Sequence, residues 1–547
     1  MRPPFRRRVR DNLRFSTFYN RLPHPSSPQL NLSHPLPFRD ALLAMLGIGL
    51  VNMAVALDQT VVSTALPSIV SELHGFEYYA WVASGYFLAS LVTVPVFGRL
   101  GDFFGRKRFV IAAVIVFTGA SVLCGLAGNM PFLVFARGLQ GIGGGMMVGT
   151  AFASIPDLFP DPRARIRWQV IMSAAYGIGT AAGPSLGGWL SQHYGWRSTF
   201  LVNLPVGILA LYFISVHLPT YRRAVEGKVL IDWTGAVLIA LVLGGFQIFI
   251  EAAANGFTPA NLVLGVLIVI GAIALVACER RASHPILPLE LFHEPKLVTL
   301  FALSVLTGFV MFSLIFFAPL LLQGGFGLTP PQAGLLATPI AVCAAIGSAA
   351  NTRIVIHLSK PTHILTIGYG LMVLASLGVA WTTSTTPRWT LEVALGGAGI
   401  GLGFILNNLN VFAQEIVGRS RVGIATALLQ STRMVGGMLG TSIVAIVINR
   451  CYEARIHSIL LASAEQPAGT WYARLADPRI LVDSSLREVL LSDLHRAGLA
   501  GASLVESARL ALVSSIHVGV LLTTASGCVA LVLVRKIAGI RLHRKEI

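Results

Sequence analysis

The sequence predicts an all-α membrane protein with fourteen transmembrane helices, and three observations carry that prediction. Of its 547 residues, 54% are hydrophobic and only 12% charged, with a mean hydropathy of +0.72, outside the range of ordinary soluble domains. Apolar runs of spanning length recur along the chain, broken by short polar segments; at about 20 residues each, fourteen spans would use roughly 280 residues, close to the apolar share of the chain. Lys and Arg, finally, fall overwhelmingly on alternate connections between the runs.

In chain order, residues 1–40 are rich in Arg, Pro and Ser, with Asp11 and Asp40 as their only acids and no apolar stretch for a signal peptidase. They read as a disordered basic arm, although a transit peptide or an early start codon would give a similar composition. The apolar runs begin near Ala41, Tyr79, Phe109, Pro131, Trp168, Thr199, Trp233, Asn261, Leu297, Gln332, Ile364, Leu391, Ile424 and Ala511. With the amino terminus in the cytoplasm, thirty of the 41 basic residues lie on cytoplasmic segments, against Arg197 and Arg388 in the short outer loops. The inside-positive bias therefore sets the orientation, with both termini cytoplasmic and the chain in the plasma (inner) membrane. The formal charge of +17 is then accounted for by topology and anionic lipid, and no nucleic-acid partner is required. Cys124, Cys278, Cys343, Cys451 and Cys528 lie far apart without ligand spacing, so neither a disulfide framework nor a metal site is expected. The long outer segment from Asn449 to Arg509 alternates apolar and charged residues, as in SSLREVLLSDLHRAGL. Part of it could lie as an amphipathic helix on the membrane, or dock a partner such as a periplasmic adaptor.

Between the second and third runs lies GRLGDFFGRKRFV, Gly98 to Val110. Gly98 and Gly105 permit a tight reversal, and Arg106, Lys107 and Arg108 hold it inside. Asp102, its lone acid, can pair with those bases or with the positive end of a neighbouring helix, forming a breakable latch between two parts of the molecule. This segment resembles the signature loop of the major facilitator superfamily, with Phe103 standing where a basic residue is usual. In the fourth run, ARGLQGIGGGMMVG sets Arg137, Gln140 and Gly141 on one helical face that Gly145 and Gly149 continue, admitting a close neighbour. A guanidinium in hydrocarbon reads as functional, the bland alternative being a bond to helix-end carbonyls. In the fifth run, YGIGTAAGPSLGGWL places Gly179, Gly183 and Gly187 on one face, while Pro184 removes a backbone hydrogen bond in mid-helix. Gly179 to Gly188 resembles the antiporter signature of the superfamily's drug exporters.

The first run ends LDQTVVSTALP, similar to the first-helix motif of the fourteen-spanner drug:proton antiporters, the EmrB/QacA-like branch. Asp58 lies about 17 residues, roughly 25 Å, from the inner start of its helix, and Arg137 about 6 residues, roughly 9 Å, from the outer start of its own. Both then sit in the outer third of the membrane. If the two helices are neighbours, hydrocarbon favours the neutral carboxyl while the guanidinium favours the ionised one, and the pair can couple protons to transport. A packing group or a permanent salt bridge is the rival reading of Asp58. WRSTFLVNLPVG (Trp196 to Gly207), IDWTG before the seventh run, and Gln323 with Gly327 fit the same branch.

For a substrate cavity, the candidates are Phe309, Phe312 and Phe316 on one face, Asn407, Asn408 and Asn410, and Gln140 and Arg433; the aromatic face could equally meet lipid or another helix. No GxxxxGK[ST] phosphate loop and no Ser-His-Asp or HExxH cluster is present, so an ion gradient rather than ATP is expected as the energy source, with no enzymatic activity and no cofactor beyond the coupling proton. The resemblance implies a major facilitator fold: an arm (1–40), a six-helix bundle (41–218), two inserted helices with their preceding loop (219–282), a second six-helix bundle (283–534) containing the outer segment 449–509, and a basic tail (535–547). It implies alternating-access export of amphipathic organic compounds. Export of one endogenous metabolite, such as a siderophore or toxin, and a sensor that has kept the fold are the alternatives.

Overall fold

Backbone amides in hydrocarbon have no water to bond, so an apolar run crosses as helix. In a computed structural model, which describes residues 37–158, 162–219, 232–254, 258–282, 285–286, 289–354, 358, 362–417, 422–462, 468–482, 484–496 and 501–537, helix is the only regular structure among the described residues. The arm expected at 1–40 and the tail expected at 535–547 fall almost wholly outside them.

The first group of helices is α1 (Phe38–Leu73), α2 (Tyr79–Phe104), α3 (Arg106–Gly125), α4 (Met130–Leu158), α5 (Pro162–Tyr194), the short α6 (Arg197–Leu201) and α7 (Asn203–His217). Within it α1 packs on α5 and α7, and α4 packs on α2 and α3. Asp40 at the start of α1 meets His217 at the end of α7 at 3.0 Å, while Glu72 at the end of α1 accepts from Trp196 at 2.8 Å and from Arg197. The two helices are thus antiparallel and pinned at both ends. Next come α8 (Trp233–Ala254) and α9 (Pro259–Arg281), which pack on each other. The last group is α10 (Pro295–Leu320), α11 (Pro330–Ile354), α12 (His363–Ala380), α13 (Arg388–Val417), α14 (Val422–Ala462) and α18 (Gly501–Val534), where α11 packs on α13, α10 on α14, and α12 on α13 and α18.

The groups meet through α5 on α11, α2 on α14 and α1 on α10. Tyr79 donates to the Phe316 carbonyl at 2.8 Å, and Ser185 and Thr338 hydroxyls lie 2.6 Å apart. Gln323, in a π-helical segment at Leu321–Gly325 that ends α10, donates to the Thr64 carbonyl at 2.8 Å. The inserted α8 touches both groups, because Gln247 donates to Ser84 at 3.4 Å and to Ser442. Only 6% of the apolar stretch of α9 is buried, against 78% for α10, so α9 presents itself to lipid and α10 to protein.

Twelve helices among the described residues are long and apolar enough to cross a membrane, two fewer than the fourteen spans expected from the sequence. The runs expected near Pro131 and Trp168 became α4 and α5, of 29 and 33 residues, which are not among the twelve. They carry Arg137, Gln140 and the glycine strings, and those residues dilute their apolarity. The outer segment is helical where it is described. α14 continues to Ala462 and α18 begins at Gly501, with α15 (Ala468–Leu475), α16 (Arg479–Val482) and α17 (Ser484–Arg496) between them. Leu490 and Leu494 of α17 are buried where α17 packs on α16 and α18. These two leucines are thus covered by the protein itself, while Val489 on the same helix stays 56% exposed.

Candidate functional site

The sequence pattern that placed Asp58 and Arg137 at one depth is realised as direct contact. Arg137 Nη1 lies 2.7 Å from Asp58 Oδ2, with the side chains 1% and 0% exposed. Gln140, one turn on from Arg137, donates through Nε2 to Asp58 Oδ1 at 2.7 Å and accepts from Arg137 Nη1 at 2.7 Å. Two further helices complete the cluster. Asn203, in the first turn of α7, donates to Asp58 Oδ1 at 3.0 Å and to Ser121 Oγ of α3 at 3.0 Å. Ser121 also accepts from Gln140 at 3.0 Å and donates to the Phe200 carbonyl at 2.9 Å. Asp58 therefore accepts three donated hydrogen bonds, two on one oxygen and one on the other, which is the environment of a carboxylate anion.

Arg137 is held as firmly. Its Nε donates to the Val82 carbonyl at 3.1 Å, and its guanidinium carbon lies 4.6 Å from the Tyr86 ring centroid, a cation–π distance. The glycines after it explain how α4 comes so close to α2: a Cβ at Gly145 would lie 2.7 Å from the Ser90 carbonyl oxygen and one at Gly149 2.5 Å from that of Val94, while Ser90 Oγ donates to the Gly141 carbonyl at 2.8 Å. Asn203 and Ser121 escaped the sequence reading. Asn203 sits inside the WRSTFLVNLPVG string, so an amide at the start of an apolar run was the available signal; Ser121 in α3 offered none.

The glycine string of α5 serves two partners. Towards α1, a Cβ at Gly179 would lie 2.6 Å from the Met53 carbonyl oxygen, one at Gly187 2.5 Å from that of Val61, and one at Gly183 would overlap Thr60 Oγ1. Towards α11, Gly188 abuts the Pro330 carbonyl and the Pro184 carbonyl abuts Gly334, so the string joins one group of helices to the other. The same device recurs in α14, unremarked in the sequence: a Cβ at Gly436 would overlap the Val305 carbonyl oxygen of α10 and one at Gly440 would lie 2.5 Å from that of Phe309.

In the signature loop, Gly105 takes φ +93° between α2 and α3, a conformation that favours glycine, and Gly98 packs on Gly149. Arg106 and Lys107 are half-buried and Arg108 is exposed. The side chains of Asp102 and Phe103, on which the latch expectation rests, lie outside the described residues.

The cavity candidates separate into distinct environments. Asn408 is 1% exposed and donates to Asn351 of α11 at 2.6 Å and to the Phe404 carbonyl at 2.7 Å. Asn407 donates to Ser348 of α11 and Asn410 to the Leu406 carbonyl at 3.1 Å. Asn407 and Asn408 thus tie α13 to α11. Phe312 and Phe316 are buried at the junction of the two groups, Phe312 with its ring centroid 4.2 Å from that of Phe87 and Phe316 with its own 6.2 Å away, while Phe309 packs beside Gly440. Arg433 donates to Gln430 on its own helix.

The arrangement is an ion pair inside hydrocarbon, held by four helices, next to a junction of close-packed glycine faces. The sequence profile of the Major Facilitator Superfamily matches residues 48–441. The Multidrug transporter protein MdtP of Bacillus subtilis (strain 168) is 32% identical over 401 residues, 72% of this chain and 73% of that one. The Multidrug resistance protein Stp of Mycobacterium tuberculosis (strain CDC 1551 / Oshkosh) is 28% identical over 450 residues, 82% of each. Among solved structures, an inward-facing, unoccupied bacterial homologue of the human lysosomal transporter Spinster superposes with a TM-score of 0.61 at 16% identity, covering 93% of this chain and 100% of that one. A D-xylose-proton symporter superposes at 0.53 and 15% identity, covering 74% of this chain and 89% of that one; at these identities the likeness is one of fold. The chain belongs to the Major Facilitator Superfamily of membrane transporters.

Proposed function

We propose that this protein is a proton-coupled antiporter that exports amphipathic organic compounds, a multidrug efflux transporter working by alternating access in the plasma (inner) membrane, with both termini cytoplasmic. The observation that carries the reading is the buried cluster of Asp58, Arg137, Gln140 and Asn203. Burying a carboxylate and a guanidinium together costs several kcal/mol before their attraction is counted, so such a pair in a membrane protein marks a functional site by default. Relatives named as multidrug transporters support the cargo class, and the excess of basic residues on alternate connections supports the orientation.

In this reading Asp58 carries the coupling proton. As carboxylate it holds Arg137, Gln140 and Asn203; on protonation it loses its charge and part of its acceptor capacity, and the three donors must re-pair. α1 and α4 carry the acid and the base, so re-pairing bears on how α1 seats against α5 and on α1's contact with α10. The glycine faces of α5 and α14 keep each group rigid while the groups rock at the α5–α11 and α2–α14 contacts. Replacing Asp58 with Asn and reconstituting the protein in vesicles tests it: an imposed pH gradient should no longer drive substrate movement, while exchange down a substrate gradient persists. Undiminished gradient-driven transport by this variant would remove Asp58 from the coupling step.

A further inference from the structure

We infer that Gln247 of the inserted helix α8 is a positioning residue of the transport cycle: its one buried amide ties the first helix group to the last at the α2–α14 contact and sets how readily the outer side opens. The inference rests on the alternating-access reading above and gives the inserted pair a part in it.

Most of α8 faces lipid, since only 22% of its apolar stretch is buried, yet Gln247 is 0% exposed. It is the only amide side chain in WTGAVLIALVLGGFQIFI, Trp233 to Ile250. A carboxamide placed out of reach of water and headgroups is costly unless it is bonded. Both Nε2 protons are used, one on Ser84 Oγ of α2 at 3.4 Å and one on Ser442 Oγ of α14, and both serines are themselves 0% exposed. A serine hydroxyl donates as well as accepts, so the bridge holds for either orientation of the amide. Gly244, one turn before Gln247, lies against Leu88, one turn beyond Ser84: a Cβ there would come 3.5 Å from Leu88 Cδ2. α8 therefore runs antiparallel along α2, with Gln247 where α8 meets both groups.

The bridge sits at a depth that movement between the groups must strain. Ser84 is about 5 residues, roughly 8 Å, from the start of α2, and Gln247 about 14 residues, roughly 21 Å, from the start of α8. In the proposed orientation both counts fall in the outer half of a bilayer core of about 30 Å. The Tyr79–Phe316 and Gln323–Thr64 bonds join the groups on the same side, so the outer halves are together here. Parting them takes α2 away from α14, and one amide cannot follow both. The 3.4 Å bond to Ser84, longer than the usual range of about 2.7–3.2 Å, is the one to give way. Gln247 Oε1, buried and without a partner among the described residues, is a spare acceptor for the hydroxyl of the serine that stays. The inserted pair thus favours the closed outer side and does more than lengthen the chain between the groups.

Spin labels at Glu77→Cys and Thr385→Cys read the outer separation, because both positions are exposed and lie on connections of the first and last groups, before α2 and before α13. The full chain, without its five native cysteines, is studied by pulsed electron paramagnetic resonance in lipid nanodiscs, with neither substrate nor pH gradient. Gln247→Met keeps length and apolar bulk but not the donors, and we expect it to raise the ratio of outer-open to outer-closed molecules at least fivefold. Ser84→Ala and Ser442→Ala, each deleting one end of the bridge, should shift the ratio the same way. Adding either to Gln247→Met should shift it no further. The two serine variants carry the test alone if Gln247→Met does not fold. An unchanged ratio in the variants, a shift toward the closed form, or shifts that simply add would overturn the inference. Because the distances are read without transport, their failure is distinct from failure of proton coupling, which the Asp58→Asn vesicle assay reads alone.

Discussion

Asp58 Oδ2 and Arg137 Nη1 meet at 2.7 Å with both side chains out of reach of solvent, although 79 residues separate them in sequence. An ion pair so placed is costly to break from one side and cheap to remove entirely. Asp58→Asn or Arg137→Gln alone should each destabilise the protein by about 3–5 kcal/mol, and the double variant should recover most of that loss. Thermal unfolding of the four proteins in detergent, treated as a double-mutant cycle, checks this; additive losses would mean that the pair contributes nothing as a pair. The double variant should remain without proton-driven transport however stable it is.

Asn203 supplies one of the three hydrogen bonds to Asp58. Asn203→Leu, similar in size but without a donor, should cost about 1–3 kcal/mol and slow transport several-fold, because the carboxylate keeps two donors but loses its link to α7. Asn203→Asp should be worse than Leu, since a second carboxyl would face Asp58 in the same dry space. A Leu variant that outperforms wild type in initial-rate measurements would show Asn203 to be a packing group.

Gly183 admits no side chain, because Thr60 of α1 occupies the space. Gly183→Val should abolish transport and sharply lower the yield of folded protein. Gly183→Ala paired with Thr60→Gly should regain folded protein relative to Gly183→Ala alone, at a residual cost near 1 kcal/mol for a helix glycine. Size-exclusion profiles after solubilisation report the recovery, and its absence would locate the constraint elsewhere than at the α1–α5 contact.

Ser185 and Thr338 bring their hydroxyls to 2.6 Å across the α5–α11 junction. In a background lacking the five native cysteines, Ser185→Cys with Thr338→Cys is close enough for a disulfide. Oxidation should stop transport and reduction restore it if the junction must open in each cycle. Full transport by the oxidised, cross-linked protein would mean that this junction stays closed throughout.

Gln323 reaches from the π-helical end of α10 to the Thr64 carbonyl of α1, and Tyr79 reaches the Phe316 carbonyl. Gln323→Leu combined with Tyr79→Phe deletes both bonds while keeping apolar bulk. The expected outcome is faster labelling of a cysteine introduced at Thr64, by about tenfold for each 1.4 kcal/mol of closure lost. Unchanged labelling would show the junction to be held by packing alone.

Much of the site was legible because membrane insertion leaves strong marks in sequence. Charged residues inside apolar runs are rare and costly, so Asp58, Arg137 and Arg433 stood out, and glycines repeating every four residues announced the close faces of α4 and α5. Gln140 was placed on the face of Arg137 by helical periodicity, and it is there that the two side chains bond. Asn203 and Ser121 were not legible, since an isolated amide or hydroxyl in an apolar run carries no sign of its partner. The asparagines of α13 were visible as polar groups, but only packing reveals that Asn407 and Asn408 bond to α11. The count of fourteen rests also on α4 and α5, whose polar residues and glycines keep them out of the twelve described helices that length and apolarity select.

The sequence by itself determined that this chain crosses the membrane many times, because apolar length and basic-residue placement are local properties that no tertiary contact can reverse. It also determined which residues are too costly to bury without a purpose. Only the tertiary structure decided which of them meet. Asp58 found Arg137 through the seating of α1, α3, α4 and α7 together. The outer segment turned Leu490 and Leu494 onto the protein. Such pairings depend on which helix lies beside which, and in a chain whose helices are almost all apolar, hydrophobicity says little about that choice; close packing and a few polar contacts make it.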